Sequence, residues 1–166
     1  MVQIFDNFLD EDLRLYIQYV MKRLKYIPQR SRFEHENSTL KCSSPMKHPG
    51  HNLVDFLYKF KISKLFEFET IVYDIYFNQS KFGIEGQGSW HYDGTEYTVL
   101  YYPQEWNKSW EGGTVFKNPH TDEKLTVEYK ENRLIIFEQH LLHRSLPHFN
   151  ESDHRYTLAF KVSNKI

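Results

Sequence analysis

His91-Tyr92-Asp93 sets two metal-ligand side chains at positions i and i+2. In an extended segment such a pair points to one face, so both side chains can reach the same ion. A third ligand must then come from another strand, and His143, within FEQHLLHRSLP, lies in a later one. Two imidazoles and one carboxylate on one face of an octahedron leave three positions open. That is the arrangement of a non-haem Fe(II) centre that activates dioxygen. Structural zinc sites do the opposite and close all four positions.

The chain holds nine histidines, so a His-x-Asp alone carries little weight, and His120-Thr121-Asp122 is a second match. That second match sits in a polar Asn-Pro loop without a wall of aromatics. It also lies too near His143 for several strands to intervene. Three histidines compete with His143 for the third place. His140 and His143 fall on opposite faces of a strand, so at most one of them points inward. His148 follows Pro147 in a turn and is expected to be exposed. His154 directly precedes Arg155, and one of that pair must point away from the site.

The elements that would position these groups follow from the hydrophobic spacing. Val2 to Phe5 reads as a short strand, and Asp10 as an N-cap. Leu13, Tyr16, Ile17, Val20 and Leu24 recur at helical spacing, which predicts an amphipathic helix over 11–25. Residues 29–50 are polar and carry Pro45 and Pro49-Gly50, so they read mostly as loop. Leu53, Phe56, Leu57 and Phe60 suggest a second helix. From residue 67 the pattern changes to short strands: EFETIVYDIYF, TEYTVLYY, TVFKN, KLTVEY, RLIIF, LLHRSL and RYTLAFKV. The long polar stretch NQSKFGIEGQGS reads as loop. The expectation is a single, mainly β domain, with a helical layer over 1–66 and a sandwich or barrel core over 67–163.

Composition narrows the function classes. The net charge is -1, and no block of Lys and Arg marks a nucleic-acid or anionic-membrane partner. No apolar run approaches the length of a membrane span, roughly 18 residues. The N-terminus has neither the basic nor the apolar region of a secretory signal. Cys42 is the sole cysteine, which suits a reducing compartment. The expectation is a soluble, cytoplasmic protein. A bias toward Lys, Asn, Ile, Phe and Tyr fits an AT-rich bacterial or phage genome, in the latter case placing the protein in the host cytoplasm. Aromatics make up 17% of the chain and suit strand faces and pocket walls.

The ordered string WHYDG, TVLYY, EW, EGGTVF, RLIIF, HRSLP, RYTLAF resembles the prolyl-hydroxylase-like branch of the 2-oxoglutarate/Fe(II) oxygenases, over residues 70–162. The opening IFDNFLDEDL is similar to that family's first strand and helix. The resemblance implies a double-stranded β-helix (a cupin-like jelly roll) with N-terminal helices against one sheet. It implies Fe(II), 2-oxoglutarate and O2 as cofactor and co-substrates, with ascorbate as an accessory reductant. By the same resemblance Arg155 holds the distal carboxylate of 2-oxoglutarate, a role that suits a guanidinium fork. Thr157 shares its face and adds a hydroxyl. Tyr102 and, upstream, Tyr76 match tyrosines that contact the co-substrate. The chain departs from the family pattern in a longer His143–Arg155 interval and a longer loop before His91.

The reaction implied is oxidative decarboxylation of 2-oxoglutarate to succinate and CO2, coupled to hydroxylation of a substrate C–H bond. Related halogenases lack the carboxylate ligand, so Asp93 favours hydroxylation. The nucleic-acid-demethylating branch would offer a second arginine at position 161; Lys161 stands there, which counts against that branch. Trp90, Trp106, Trp110 and the loop 78–90 are candidates for the substrate rim. The substrate expected is a prolyl residue in a peptide or protein. The alternatives are a free amino acid or other small molecule, a non-catalytic cupin-like metal-binding module, and a zinc hydrolase, for which no helical His-Glu-x-x-His pattern is present.

Overall fold

The structure is a computed structural model that describes residues 1–28, 41–43, 51–84, 87–118 and 120–165. Strand β1 (Val2–Phe5) leads into helix α1 (Glu11–Arg23). The Asp10 carboxylate accepts the Leu13 N–H at 3.0 Å and caps the helix, as the sequence predicts. The helix stops two residues short of the predicted end, because Leu24 turns to an extended backbone (φ -70°, ψ 148°). Helix α2 (His51–Leu57) runs on as a wider π turn over Tyr58–Ile62 and a 3-10 turn over Ser63–Leu65.

Seven strands make the major sheet, in the order β1-β8-β5-β10-β4-β3-β2. They are β1, β2 (Ile27–Pro28), β3 (Lys41–Ser43), β4 (Thr70–Ser80), β5 (Tyr97–Tyr102), β8 (Arg133–Glu138) and β10 (Arg155–Asn164). The minor sheet has the order β7-β6-β9, with β6 (Thr114–Lys117), β7 (Lys124–Val127) and β9 (Leu142–Ser145). Two expectations are corrected here. The stretch read as loop over 29–50 contains β3, which bonds to both β2 and β4; residues 29–40 and 44–50 lie outside the described residues. Strand β4 also runs three residues into the polar stretch NQS, because Asn78, Gln79 and Ser80 pair with Thr157, Tyr156 and Arg155 of β10.

The major sheet is apolar on both faces. Val99 and Tyr101 of β5, Leu134 and Ile136 of β8, and Phe160 of β10 pack with Ile17, Met21, Val54, Leu57 and Ile62 of the helical layer. The alternate residues Leu100, Tyr102, Ile135, Phe137 and Ala159 turn toward Phe116 and Val127 of the minor sheet. This explains why YTVLYY and RLIIF read as nearly continuous apolar runs rather than alternating ones. Each large side chain so buried stabilises the fold by about 1.5–3 kcal/mol. The two facing sheets, with helices outside one of them, form the double-stranded β-helix that the sequence suggests.

Asn132 ties the helical layer to this core from the turn before β8. Its backbone is left-handed, with φ 57°. Its Oδ1 accepts the Leu9 N–H and the Tyr101 hydroxyl, each at 2.9 Å, and its Nδ2 donates to the Leu9 carbonyl at 2.7 Å. Gly113, at the mouth of β6, admits no side chain: a Cβ there would stand 2.2 Å from the Val127 carbonyl oxygen.

Candidate active site

Residue 91 is extended, as the His-x-Asp reading requires, and it joins the two halves of the site. His91 and His143 exchange a pair of backbone hydrogen bonds, each 3.0 Å. This narrow antiparallel bridge sets their rings side by side, with centroids 4.3 Å apart. Asp93, two residues on from His91, faces the same space. His91 Nε2 lies 3.8 Å from Asp93 Oδ1, and His143 Nε2 lies 3.4 Å from Asp93 Oδ2. One ligand atom from each of the three falls within 4.8 Å of the others. No other set of three such side chains converges in this way among the described residues.

The tautomers of the two imidazoles follow from their partners. His91 Nδ1 lies 2.9 Å from the Ser89 carbonyl, and His143 Nδ1 lies 3.0 Å from the Leu141 carbonyl. A carbonyl oxygen only accepts, so each Nδ1 carries a hydrogen, and in the neutral ring that binds a metal each Nε2 keeps its lone pair. Both lone pairs lie beside the Asp93 carboxylate. Backbone carbonyls that fix a ring in this way are the usual support of a metal-binding histidine. Two neutral imidazole nitrogens and one carboxylate suit a first-row transition ion such as Fe(II). Phe137 packs on the His143 ring at 4.6 Å.

Burial and charge act on these groups together. Burial alone would raise the Asp93 carboxyl, but the neighbouring His143 and the Lys161 ammonium outweigh it and hold it below the usual carboxylate range. Burial, with the neighbouring His143, lowers the His91 imidazole and favours its neutral form.

Arg155 lies six residues before Lys161 on the same face of β10. It is 3% exposed, and its Nη1 donates to the Gly112 carbonyl at 2.7 Å and the Leu146 carbonyl at 3.1 Å. Its Nε is buried without a hydrogen-bond partner. Among the described residues no carboxylate pairs with it, so its charge is balanced only by carbonyl dipoles and by the ring of Tyr129, 5.9 Å away. Tyr102 and Tyr129 are buried and stack at 4.4 Å. Burial pushes both phenols up, so both keep their O–H. The Tyr102 hydroxyl pairs with Thr114 at 2.7 Å. Thr157 is buried, and its Oγ1 accepts from Asn78 Nδ2 at 3.3 Å. Tyr76 lies opposite Ala159 on the inner face, its ring 5.5 Å from the Lys161 ammonium.

The remaining histidines are distributed partly as expected. His120 lies exposed in a turn, His140 is exposed beside Glu138, and His154 points outward while Arg155 is buried. His148 is a correction, since it is fully buried. Backbone bridges to Gly83 and Glu111 hold it inside, and its Nε2 meets the Ser80 carbonyl at 3.2 Å. Trp106 packs on Tyr129 and His148 around Gly112, so it walls the Arg155 end of the barrel. Trp110 packs edge-on against Trp106. Trp90 lies under the Arg144 guanidinium at 4.7 Å. The sequence reading missed Thr98 as a partner of Asp93. Its hydroxyl donates to Asp93 Oδ2 at 2.5 Å, a contact signalled only by the hydroxyl placed five residues after Asp93.

Residues 77–161 match the family described as the 2OG-Fe(II) oxygenase superfamily. No curated protein matches the sequence. Among solved structures, the non-haem α-ketoglutarate-dependent epimerase SnoN of nogalamycin biosynthesis shares the fold with a TM-score of 0.77 at 12% identity, over 98% of this chain and 77% of that one. A prolyl-4-hydroxylase of Pseudomonas putida shares it with a TM-score of 0.72 at 14% identity, over 96% and 91% of the two chains. A prolyl hydroxylase of Trichoplax adhaerens, in complex with a peptide fragment of the hypoxia inducible factor oxygen degradation domain, gives 0.74 at 16% identity, over 97% and 82%. No helix among the described residues is long and apolar enough to cross a membrane. The family match spans both histidines, the aspartate and the buried arginine, and the chain belongs to the 2OG-Fe(II) oxygenase superfamily, as an oxidoreductase that uses Fe(II) and 2-oxoglutarate.

Proposed function

We propose that the protein hydroxylates a C–H bond of a prolyl residue in a peptide or protein, with His91, Asp93 and His143 as the iron ligands. One observation carries the ligand assignment: both imidazoles are locked through Nδ1 with Nε2 turned to a single carboxylate. Arg155 takes the distal carboxylate of 2-oxoglutarate, because a buried guanidinium without a carboxylate partner favours an anionic guest. Tyr102 and Thr157 line the same face and orient that carboxylate, and Tyr76 lies nearer the metal end. Bound iron with 2-oxoglutarate supplies the oxidising power for C–H cleavage. The chain's own work is to hold one face of the ion, keep the other positions open, and exclude bulk water with Phe116, Phe137 and Leu100. Support for a prolyl substrate comes from the fold shared with two prolyl hydroxylases, one of them bound to a peptide.

Succinate release by the Fe(II)-loaded protein, with proline-containing peptides set against free amino acids, tests the proposal. Turnover and a mass gain of one oxygen on the peptide are expected. Turnover only with a free amino acid would move the substrate to the small-molecule class. Full turnover by Asp93→Ala or His143→Ala would refute the ligand assignment.

A further inference from the structure

We propose that Lys161 and Thr98 are positioning residues that hold one oxygen of Asp93, so that this carboxylate gives the metal a single oxygen. The inference rests on Asp93 being a ligand. Lys161 and Thr98 are direct neighbours across β10 and β5. The Lys161 ammonium is ion-paired with Asp93 Oδ2 and donates to Thr98 Oγ1 at 3.0 Å. The Thr98 hydroxyl, with its oxygen engaged by Lys161, passes its own hydrogen to the same Oδ2 at 2.5 Å. The ammonium and the hydroxyl thus form a triangle with one carboxylate oxygen. The Lys161 side chain is 12% exposed and that of Asp93 is 8%, so water competes little for either. The Tyr76 ring stands 5.5 Å from the ammonium and favours its charge.

The consequence is one of coordination number. A carboxylate left to itself can chelate a divalent ion through both oxygens and use up a further position. The chemistry of a two-histidine, one-carboxylate face depends on open positions. An ammonium and a hydroxyl that claim Oδ2 keep that position vacant. The lysine also places a positive charge against the carboxylate, which offsets part of the negative charge brought by a dianionic co-substrate.

The test uses the full chain loaded with Mn(II), without 2-oxoglutarate, and counts the waters on the ion by 17O-water electron–nuclear resonance. The wild type is expected to show three. Lys161→Met is expected to show two, Lys161→Arg to restore three, and Thr98→Val to fall between as a mixture. Melting curves confirm that each variant is folded, and Thr98→Val, nearly isosteric, serves if Lys161→Met is not. Three waters in both Lys161→Met and Thr98→Val would overturn the positioning role while leaving the ligand set in place. Retention of Mn(II) by both Asp93→Ala and His143→Ala would instead overturn the ligand set itself.

Discussion

Replacing Asn132 with alanine should cost about 4 kcal/mol of stability. The side chain makes three buried hydrogen bonds, to the Leu9 N–H, the Leu9 carbonyl and the Tyr101 hydroxyl. Their loss is worth about 1 kcal/mol each, since every partner is left unsatisfied in the core. Alanine must also adopt the left-handed backbone of φ 57°, which adds about 1 kcal/mol for a residue without a local hydrogen-bonding side chain. Asn132→Gly loses the same bonds but escapes the backbone strain, so about 3 kcal/mol is expected. For a domain of this size each kcal/mol lowers the melting temperature by about 2–4 °C, so the alanine variant should melt about 8–16 °C lower. Urea unfolding followed by tryptophan fluorescence, with the slope compared across variants, measures both numbers. A cost below about 1 kcal/mol for alanine would refute the stapling role. Equal costs for alanine and glycine would refute the strain argument.

Arg155→Met is expected to raise the 2-oxoglutarate requirement about 30- to 160-fold, the equivalent of about 2–3 kcal/mol for lost charge-assisted bonds. Arg155→Lys should recover part of this, and an unchanged requirement in either variant would move the role elsewhere. Burial lowers the His148 imidazole, so the unfolded chain takes up a proton more readily than the folded one. Stability should therefore decline as pH falls below about 6.5, the unfolded value, and His148→Gln should flatten part of that decline in melting curves taken from pH 7.5 to 5.5. Gly112 has φ 82°, and a Cβ there would stand 2.9 Å from that of His148 and 3.2 Å from Arg155 Cδ. Gly112→Ala should lower stability by about 1–3 kcal/mol and weaken 2-oxoglutarate binding measured by calorimetry; wild-type values for both would contradict the described packing.

Much of the geometry of the candidate site is legible in the sequence, because period-2 alternation is a local rule. It put His91 and Asp93 on one face and His154 and Arg155 on opposite ones. Continuous apolar runs marked β5 and β8, and the Asp10 cap marked α1. What escaped depends on register. Ser80 and Asn78 looked like loop residues because polar side chains signal solvent, yet here they face the inside of a barrel that carries polar chemistry. His148 looked exposed because it follows a proline, whereas bridges to residues 65 and 37 positions away hold it inside. In the sequence Lys161 stands out only as the residue where another branch has arginine. Its partnership with Thr98 and Asp93 exists only once β5 and β10 align.

The backbone bridge between residues 91 and 143 also bears on when the protein can take up metal. One imidazole and the carboxylate leave the ribosome some fifty residues before the second imidazole does. The backbone partner of residue 91 has not yet been made at that point. With these three side chains as the proposed ligands, a nascent chain carries an incomplete claw, with weak hold on any ion, until its last third has emerged and folded back. On the proposed ligand set, iron loading follows the synthesis of the strand that carries residue 143, and the centre stays unarmed until then.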